Sequence, residues 1–299
     1  MVTVTAFWYF DNGFDRPYPP TLTSMIRSEG RWEYYDNQPI NVGGLSYPDT
    51  YRVIWPEETS LSDLLGKKIQ VDLQTGAITG GTITGIVDAY FNDGEWWIGW
   101  AIQKLSLPAE SFYRTALSRT LDDDERLLER TYSGADRFDL SDKTDFAYGY
   151  GGKDRIEGNG GDDHLFGQNG SDKLLGGDGK DQLDGGAGLD RLTGGAGGDR
   201  FEFWDIESAG DSILDFDGRD TILIHTRNIE TEGWSLDLNY GFQVSADNKA
   251  QQNYTFLIFR TTDSTLWFDS DGARDEAPVL IADLQAGAML TAEDIELAW

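Results

Sequence analysis

Six aspartates stand nine residues apart: Asp154, Asp163, Asp172, Asp181, Asp190 and Asp199. Each has glycine five and two residues before it and an apolar residue two residues after it (Ile156, Leu165, Leu174, Leu183, Leu192 and Phe201). Residues 149–202 thus read as six units, GYGGKDRIE, GNGGDDHLF, GQNGSDKLL, GGDGKDQLD, GGAGLDRLT and GGAGGDRFE. Carboxylates set among glycine-rich turns are hard oxygen donors, joined there by main-chain carbonyls. If two units make one coil, units n and n+2 stack at the strand spacing of about 4.7–4.9 Å. Calcium takes oxygen ligands at about 2.3–2.6 Å, so one ion fits between two stacked turns. Without it, each column carries like charges about 5 Å apart, which repel by about 1 kcal/mol in water and by more in a lower dielectric.

The elements that position these groups follow from the same period. Glycines at positions 1 and 4 supply backbone shapes that a side chain opposes, so positions 1–6 form a turn. Positions 7–9, polar–apolar–polar, form a three-residue strand with one side chain directed inward. One unit cannot bury that residue alone, and stacking solves the problem. One wall of the coil carries Ile156, Leu174 and Leu192; the other carries Leu165, Leu183 and Phe201. So thin an apolar layer leaves the metal-free coil weak and couples folding to metal binding.

These units resemble the RTX family, the hemolysin-type calcium-binding nonapeptide repeats of pattern G-G-x-G-x-D-x-U-x. Position 2 departs in the first three units (Tyr150, Asn159, Gln168), and position 3 is Asn169 in the third. The resemblance implies a parallel β-roll in which one turn gives carbonyls 2 and 4 and its Asp, and the turn two units later gives carbonyls 1 and 3 and its Asp. Tyr150, Gly152 and Asp154 would then face Gly167, Asn169 and Asp172. Asn159, Gly161 and Asp163 would face Gly176, Asp178 and Asp181. Gln168, Gly170 and Asp172 would face Gly185, Ala187 and Asp190. Gly177, Gly179 and Asp181 would face Gly194, Ala196 and Asp199. That makes about four complete Ca2+ sites. The frame also allows one or two further sites at each end: Asp145 and Asp136 keep the phase backward, and Asp217 regains it forward after Ser208 breaks it.

The 299 residues carry 53 acidic and 24 basic side chains, a net charge of −29. That sign disfavours nucleic acid as a partner. No cysteine is present, which excludes a disulfide framework. The opening MVTVTAFWYFDNGFDRPYPP has neither a basic n-region nor an adequate apolar run, so a cleaved N-terminal secretion signal is not expected. No run of 18 apolar residues occurs to span a membrane. The last stretch, APVLIADLQAGAMLTAEDIELAW, resembles the uncleaved C-terminal export signal of type I secreted proteins, which implies a type I exporter as partner and an extracellular location.

The flanks divide the chain into three expected parts: a small β-rich N-terminal domain over 1–130, the roll over 131–202 and a β-rich C-terminal cap over 203–299. The fold class is therefore mostly all-β. VTVTAFWYF, RWEYY, TYRVIW, KKIQVDL, GTITGIVDAYF and EWWIGWAIQKL read as strands, with a hairpin at 92–94. Alternation puts Trp96 and Trp100 on one strand face and Trp97 on the other. Pro108 reads as a helix start, SFYRTAL as a short helix and 122–130 as a second one. After the repeats, DSILDFDGRDTILI, GFQVSAD, NYTFLIFRTT and STLWFDSDG read as antiparallel strands, and Asp269, Asp271 and Gly272 as a solvated turn.

Only His164 and His225 are present, and neither H-E-x-x-H nor G-x-S-x-G occurs, so zinc-protease and lipase sites are not supported. No catalytic residue is assigned. The expected role is a secreted calcium-binding protein whose roll folds on extracellular Ca2+, with a structural, adhesive or matrix function and a polysaccharide or cell surface as partner. The alternative is a secreted enzyme with its catalytic site in residues 1–105 and the roll as a folding module.

Overall fold

The computed structural model describes residues 3–6, 31–35, 40–42, 45–47, 49–54, 60–71, 78–92, 95–108, 130, 132–204, 210–225, 238–247, 249–251, 256–270 and 277–298. The chain forms two compact units, Met1–Ser141 and Asp142–Trp299.

The first unit is strand-built. Its elements are β1 (Thr3–Ala6), β2 (Arg31–Tyr35), β3 (Ile40–Val42), β4 (Leu45–Tyr47), β5 (Asp49–Ile54), β6 (Ser60–Val71), β7 (Ile78–Asn92), β8 (Glu95–Pro108) and β9 (Arg137–Asp139). Strands β2, β5, β6, β7 and β8 pair antiparallel in that order, and β1 joins β8 antiparallel and β9 parallel. Asn92 pairs with Glu95 where the hairpin was expected. Leu65 and Ile69 on β6 and Ile78 and Ile83 on β7 are buried.

Two readings change in this unit. Trp100 pairs with Asp88 and Trp97 with Tyr90, two apart on β7, while Trp96 pairs with Phe91. A register shift at Asp88/Ala89 breaks the simple alternation, so Trp97 and Trp100, not Trp96 and Trp100, hold equivalent register positions. Pro108 ends β8 opposite Thr82 instead of opening a helix; a strand end asks for no N–H there. Of the two expected helices, only Arg130 is among the described residues, and it is helical.

The second unit is a parallel β-roll that runs on into its C-terminal strands. Its repeat strands are β10 (Phe146–Tyr148), β11 (Gly151–Gly152), β12 (Arg155–Gly160), β13 (His164–Phe166), β14 (Asn169–Gly170), β15 (Lys173–Gly179), β16 (Gln182–Asp184), β17 (Ala187–Gly188), β18 (Arg191–Gly197) and β19 (Arg200–Phe203). Beyond them come β20 (Asp211–Ile213), β21 (Thr221–His225), α1 (Leu238–Gly241), β22 (Phe242–Ser245), β23 (Leu257–Arg260), β24 (Thr265–Phe268), β25 (Val279–Leu284) and β26 (Ile295–Ala298).

One wall is β12-β15-β18-β20-β25, parallel throughout, and it stacks Ile156, Leu174, Leu192, Ile213 and Leu284 in register. The other is β10-β13-β16-β19-β21-β26, also parallel, with Ala147, Leu165, Leu183, Phe201, Ile222 and Ile295 in register. Every position-8 side chain of the six repeats is 0% exposed, as the period requires. The strands after the repeats are not all antiparallel as expected. β20, β21, β25 and β26 continue the two walls in parallel, because Asp211-x-Ile213 and Asp220-x-Ile222 repeat the turn–strand junction of the roll. Among the described residues of this unit, only β23-β24-β25 pair antiparallel. Asp269 is buried, and its N–H donates to the Phe256 carbonyl at 2.8 Å, so it is no part of a solvated turn; Asp271 and Gly272 lie outside the described residues.

Candidate metal centre

The aspartates form two columns, one per wall. Asp154, Asp172 and Asp190 follow one another 18 residues apart, and so do Asp145, Asp163, Asp181 and Asp199. One rule ties each column. The N–H of an aspartate donates to Oδ1 of the aspartate one coil further on: Asp154 to Asp172 at 2.7 Å, Asp163 to Asp181 at 2.9 Å, Asp181 to Asp199 at 3.0 Å. That bond locks each carboxylate and leaves Oδ2 to face the turn. In Asp163, Asp172 and Asp181, each at most 2% exposed, Oδ2 is buried without a hydrogen bond. An ionised oxygen so placed is costly unless a cation answers it.

Position 1 shows where the cation would sit. A Cβ added to Gly167 would lie 2.7 Å from Asp172 Oδ2 and 2.6 Å from the Gly185 carbonyl. At Gly149 the same neighbours are Asp154 Oδ2 at 2.7 Å and the Gly167 carbonyl at 2.6 Å. Gly158 and Gly176 repeat the arrangement with Asp163 and the Gly176 carbonyl, and with Asp181 and the Gly194 carbonyl. The missing side chain thus keeps open a gap bounded by one carboxylate and one carbonyl from the next coil. All its donors are hard oxygens, which fits Ca2+. Among the described residues no three acidic or histidine side chains surround a metal-sized space; carbonyls must complete the set.

The other donors implied by the family are placed less uniformly. Position-1 carbonyls of Gly167, Gly176, Gly185 and Gly194 reach the gaps. Position-2 carbonyls of Tyr150 and Gln168 accept N–H groups of Asn169 at 3.0 Å and Ala187 at 2.6 Å in a ladder between turns. The Asp178 carbonyl, at position 3, accepts the Gly161 N–H at 2.8 Å. The position-2 residues Tyr150, Asn159 and Gln168 hold φ of 65°, 75° and 68°, a left-handed shape that Gly177 also takes on the glycine side of φ space. Gly152, Gly170 and Gly179 at position 4 are likewise left-handed, stacked carbonyl against Cα on the coil below. Ala196 pairs with Asp178 in the β15–β18 ladder.

Burial dominates the electrostatics. It pushes the Asp163 carboxyl up to about 8, against the help of the Asp145 N–H, and neighbouring Asp181 and Asp145 push the same way. Asp172, Asp181 and Asp199 rise to about 6 for the same first cause. Asp190 is raised as well.

At the N-terminal end Asp145 joins its column, its N–H donating to Asp163 Oδ1 at 2.8 Å. Asp136 is buried, at 2% exposed. At the other end the nine-residue arithmetic misleads. Asp217 is on the surface, 2.6 Å from Arg219, whose guanidinium holds its carboxyl below the usual range. The columns are continued instead by Asp211 and Asp220, which accept the N–H groups of Asp190 and Asp199 at 2.9 Å each. Both stand 21 residues on, so three extra residues separate them from the last repeat. Asp215 adds a clamp, accepting from Gly194 N–H at 2.9 Å and Gly195 N–H at 2.8 Å. A sequence signal existed: D-x-I at 211–213 and again at 220–222, nine apart.

Parallel coils whose turns gather buried carboxylates and carbonyls define a calcium β-roll. Residues 131–165, 139–174 and 166–201 match the model of the RTX calcium-binding nonapeptide repeat, with four copies. These residues are RTX repeats, and RTX nonapeptide repeats bind calcium. Among solved structures, the chain is similar to the solution structure of the AlgE6R3 subunit of the mannuronan C5-epimerase from Azotobacter vinelandii. The identity is 26%, over 52% of this chain and 78% of that one, with a TM-score of 0.18. No curated protein matches the chain. Among the described residues no helix is long and apolar enough to cross a membrane.

Proposed function

We propose that this is a secreted calcium-binding protein whose roll folds when it meets extracellular Ca2+, serving a structural or adhesive role toward a polysaccharide matrix or cell surface. One observation carries the calcium-folding part: the locked columns in which Asp163, Asp172 and Asp181 each present a buried Oδ2 with no hydrogen-bond partner. Calcium is scarce in the cytosol and abundant outside, and extracellular modules typically bind it with Kd of about 10⁻⁴–10⁻³ M. The chain would stay loose inside the cell, leave through a type I exporter led by its C-terminal stretch, and fold on arrival.

Full-length protein measured by far-ultraviolet circular dichroism in chelator should show little β signal from the roll. Calcium in the millimolar range should restore it in one cooperative step. Identical spectra in both conditions would remove the proposal. Export is tested separately by attaching residues 203–299 to a passenger in cells with and without a type I exporter.

A further inference from the structure

The outer face of the β10-β13-β16-β19-β21 wall changes along its length. Strand alternation turns Leu165, Leu183 and Phe201 inward and their neighbours outward. One outer row, on successive strands, is Tyr148, Phe166, Asp184 and Glu202. The Phe166 ring is stacked on Tyr148 with centroids 4.8 Å apart. The row then passes from rings to carboxylates, and Trp204 stands two residues beyond Glu202 with 53% of its surface exposed.

One face of the Trp204 ring lies on His225, with centroids 3.4 Å apart and planes 10° apart. His225 belongs to the following strand of the wall, so the other indole face turns toward the preceding coil. Gly186 and Ala187 carry little side chain there, and a cavity of about 110 Å3 opens between them, Trp204, Asp184 and Glu202. Glu202 is 4% exposed. Its Oε2 accepts the Trp204 Nε1–H at 3.2 Å, while its Oε1 accepts from no described residue. Asp184 is held in the same way: its Oδ1 accepts the Gly186 N–H at 3.0 Å, and its Oδ2 accepts from no described residue. No described lysine or arginine lines the cavity. Arg200, on the same face, is paired with Glu296 at 3.2 Å.

We propose that this slot binds a pyranose unit of a neutral glycan, whose apolar C–H face lies on the open indole face of Trp204 and whose hydroxyls donate to Asp184 Oδ2 and Glu202 Oε1. The inference rests on the polysaccharide part of the function proposed above and narrows it to neutral chains, because a polyuronate would bring carboxylates against carboxylates. An indole supplies a large rigid apolar contact, and hydrogen bonds to ionised acceptors are the stronger kind. Two strand spacings, about 9–10 Å, separate the coil of Trp204 from that of Phe166. A short chain that reaches past Asp184 therefore meets a second ring.

Isothermal calorimetry on the full-length chain in saturating calcium tests this. Cellotetraose and mannotetraose are the neutral probes, tetragalacturonate the acidic one and butylammonium the cationic one. At least one neutral tetrasaccharide should bind, more tightly than its monosaccharide and with little dependence on salt. Trp204→Ala and Glu202→Gln should each weaken it by about tenfold or more. Neither should move the calcium midpoint read by circular dichroism, since neither residue belongs to an aspartate column. Phe166→Ala should weaken the tetrasaccharide and leave the monosaccharide unchanged. If Trp204→Ala fails to fold, Glu202→Gln, which keeps the side-chain shape, decides the matter. Tighter binding of tetragalacturonate or butylammonium, displacement of the sugar by added calcium, or an affinity untouched by both variants overturns the proposal. A folded, calcium-loaded chain that binds neither neutral sugar overturns the slot and leaves the calcium reading standing. A chain that binds the sugar but does not fold on calcium keeps the slot and removes the calcium reading.

Discussion

At the residue scale, each recurring position of the unit answers a different physical demand. Position 6 supplies one oxygen that accepts the aspartate N–H of the preceding coil and one that faces the gap. Asp181→Asn retains an acceptor for the Asp163 N–H but replaces an anionic oxygen beside the Gly194 carbonyl with a donor or a neutral oxygen. The calcium midpoint should rise by about tenfold, equivalent to ~1.4 kcal/mol, in a titration followed by circular dichroism. Position 4 is a question of space. Gly188 has φ 147°, and a Cβ there would overlap the Gly170 carbonyl. Gly188→Ala should cost about 2–4 kcal/mol in calcium-saturated denaturation, from combined strain and overpacking. Position 2 tolerates side chains at a cost. Tyr150 sits at φ 65°, a region asparagine enters more readily. Tyr150→Asn should therefore stabilise the calcium-loaded protein by about 0.5–1 kcal/mol, seen as a higher denaturant midpoint with unchanged slope.

At the element scale, the columns make the roll pH-sensitive in a direction set by burial. Asp172, Asp181 and Asp199 stand at about 6 and Asp163 at about 8, above the ordinary aspartate value. The metal-free folded roll therefore binds more protons than the unfolded chain between about pH 4 and 8. Its stability falls as pH rises through that window and is greatest below it. Calcium reverses the sign, because it binds the ionised carboxylates and must displace their protons. The small β signal left without metal should shrink further from pH 5 to pH 8, while melts at fixed limiting calcium should shift upward over the same range. Parallel shifts in the two series would show that the columns do not bind the ion.

At the scale of the whole second unit, later strands cover the last strands of the repeats. β25 and β26 extend the two walls beyond the repeats, pairing through Ile213↔Leu284 and Ile222↔Ile295, and β24 pairs on beyond β25. Gln285 Nε2 donates to the Phe216 carbonyl at 2.6 Å, a tie across 69 residues. Solenoids need such caps. Ending the chain at residue 276 should uncover Ile213, Ile222 and Phe216 and raise the calcium concentration required for folding, as read by circular dichroism against the intact chain. The C-terminal stretch thus becomes a structural element of the folded roll whatever part it plays in export.

The repeat period alone determined the two walls, the inward side chains from Ile156 to Phe201 and the aspartate columns. Each nine-residue unit carries its own turn chemistry and pairs in its wall with the units two before and two after it, so local spacing contains the answer. The oxygen that each carboxylate spends on the neighbouring coil, and the one it keeps, emerged only from the stacked backbone. So did the column's true continuation through Asp211 and Asp220. A three-residue insertion breaks the phase there, and Asp217, which the arithmetic favoured, turns outward to Arg219. Tertiary structure likewise decided that β25 and β26 extend the two walls. Those contacts join segments that no period relates, and only the packed chain brings them within reach of one another.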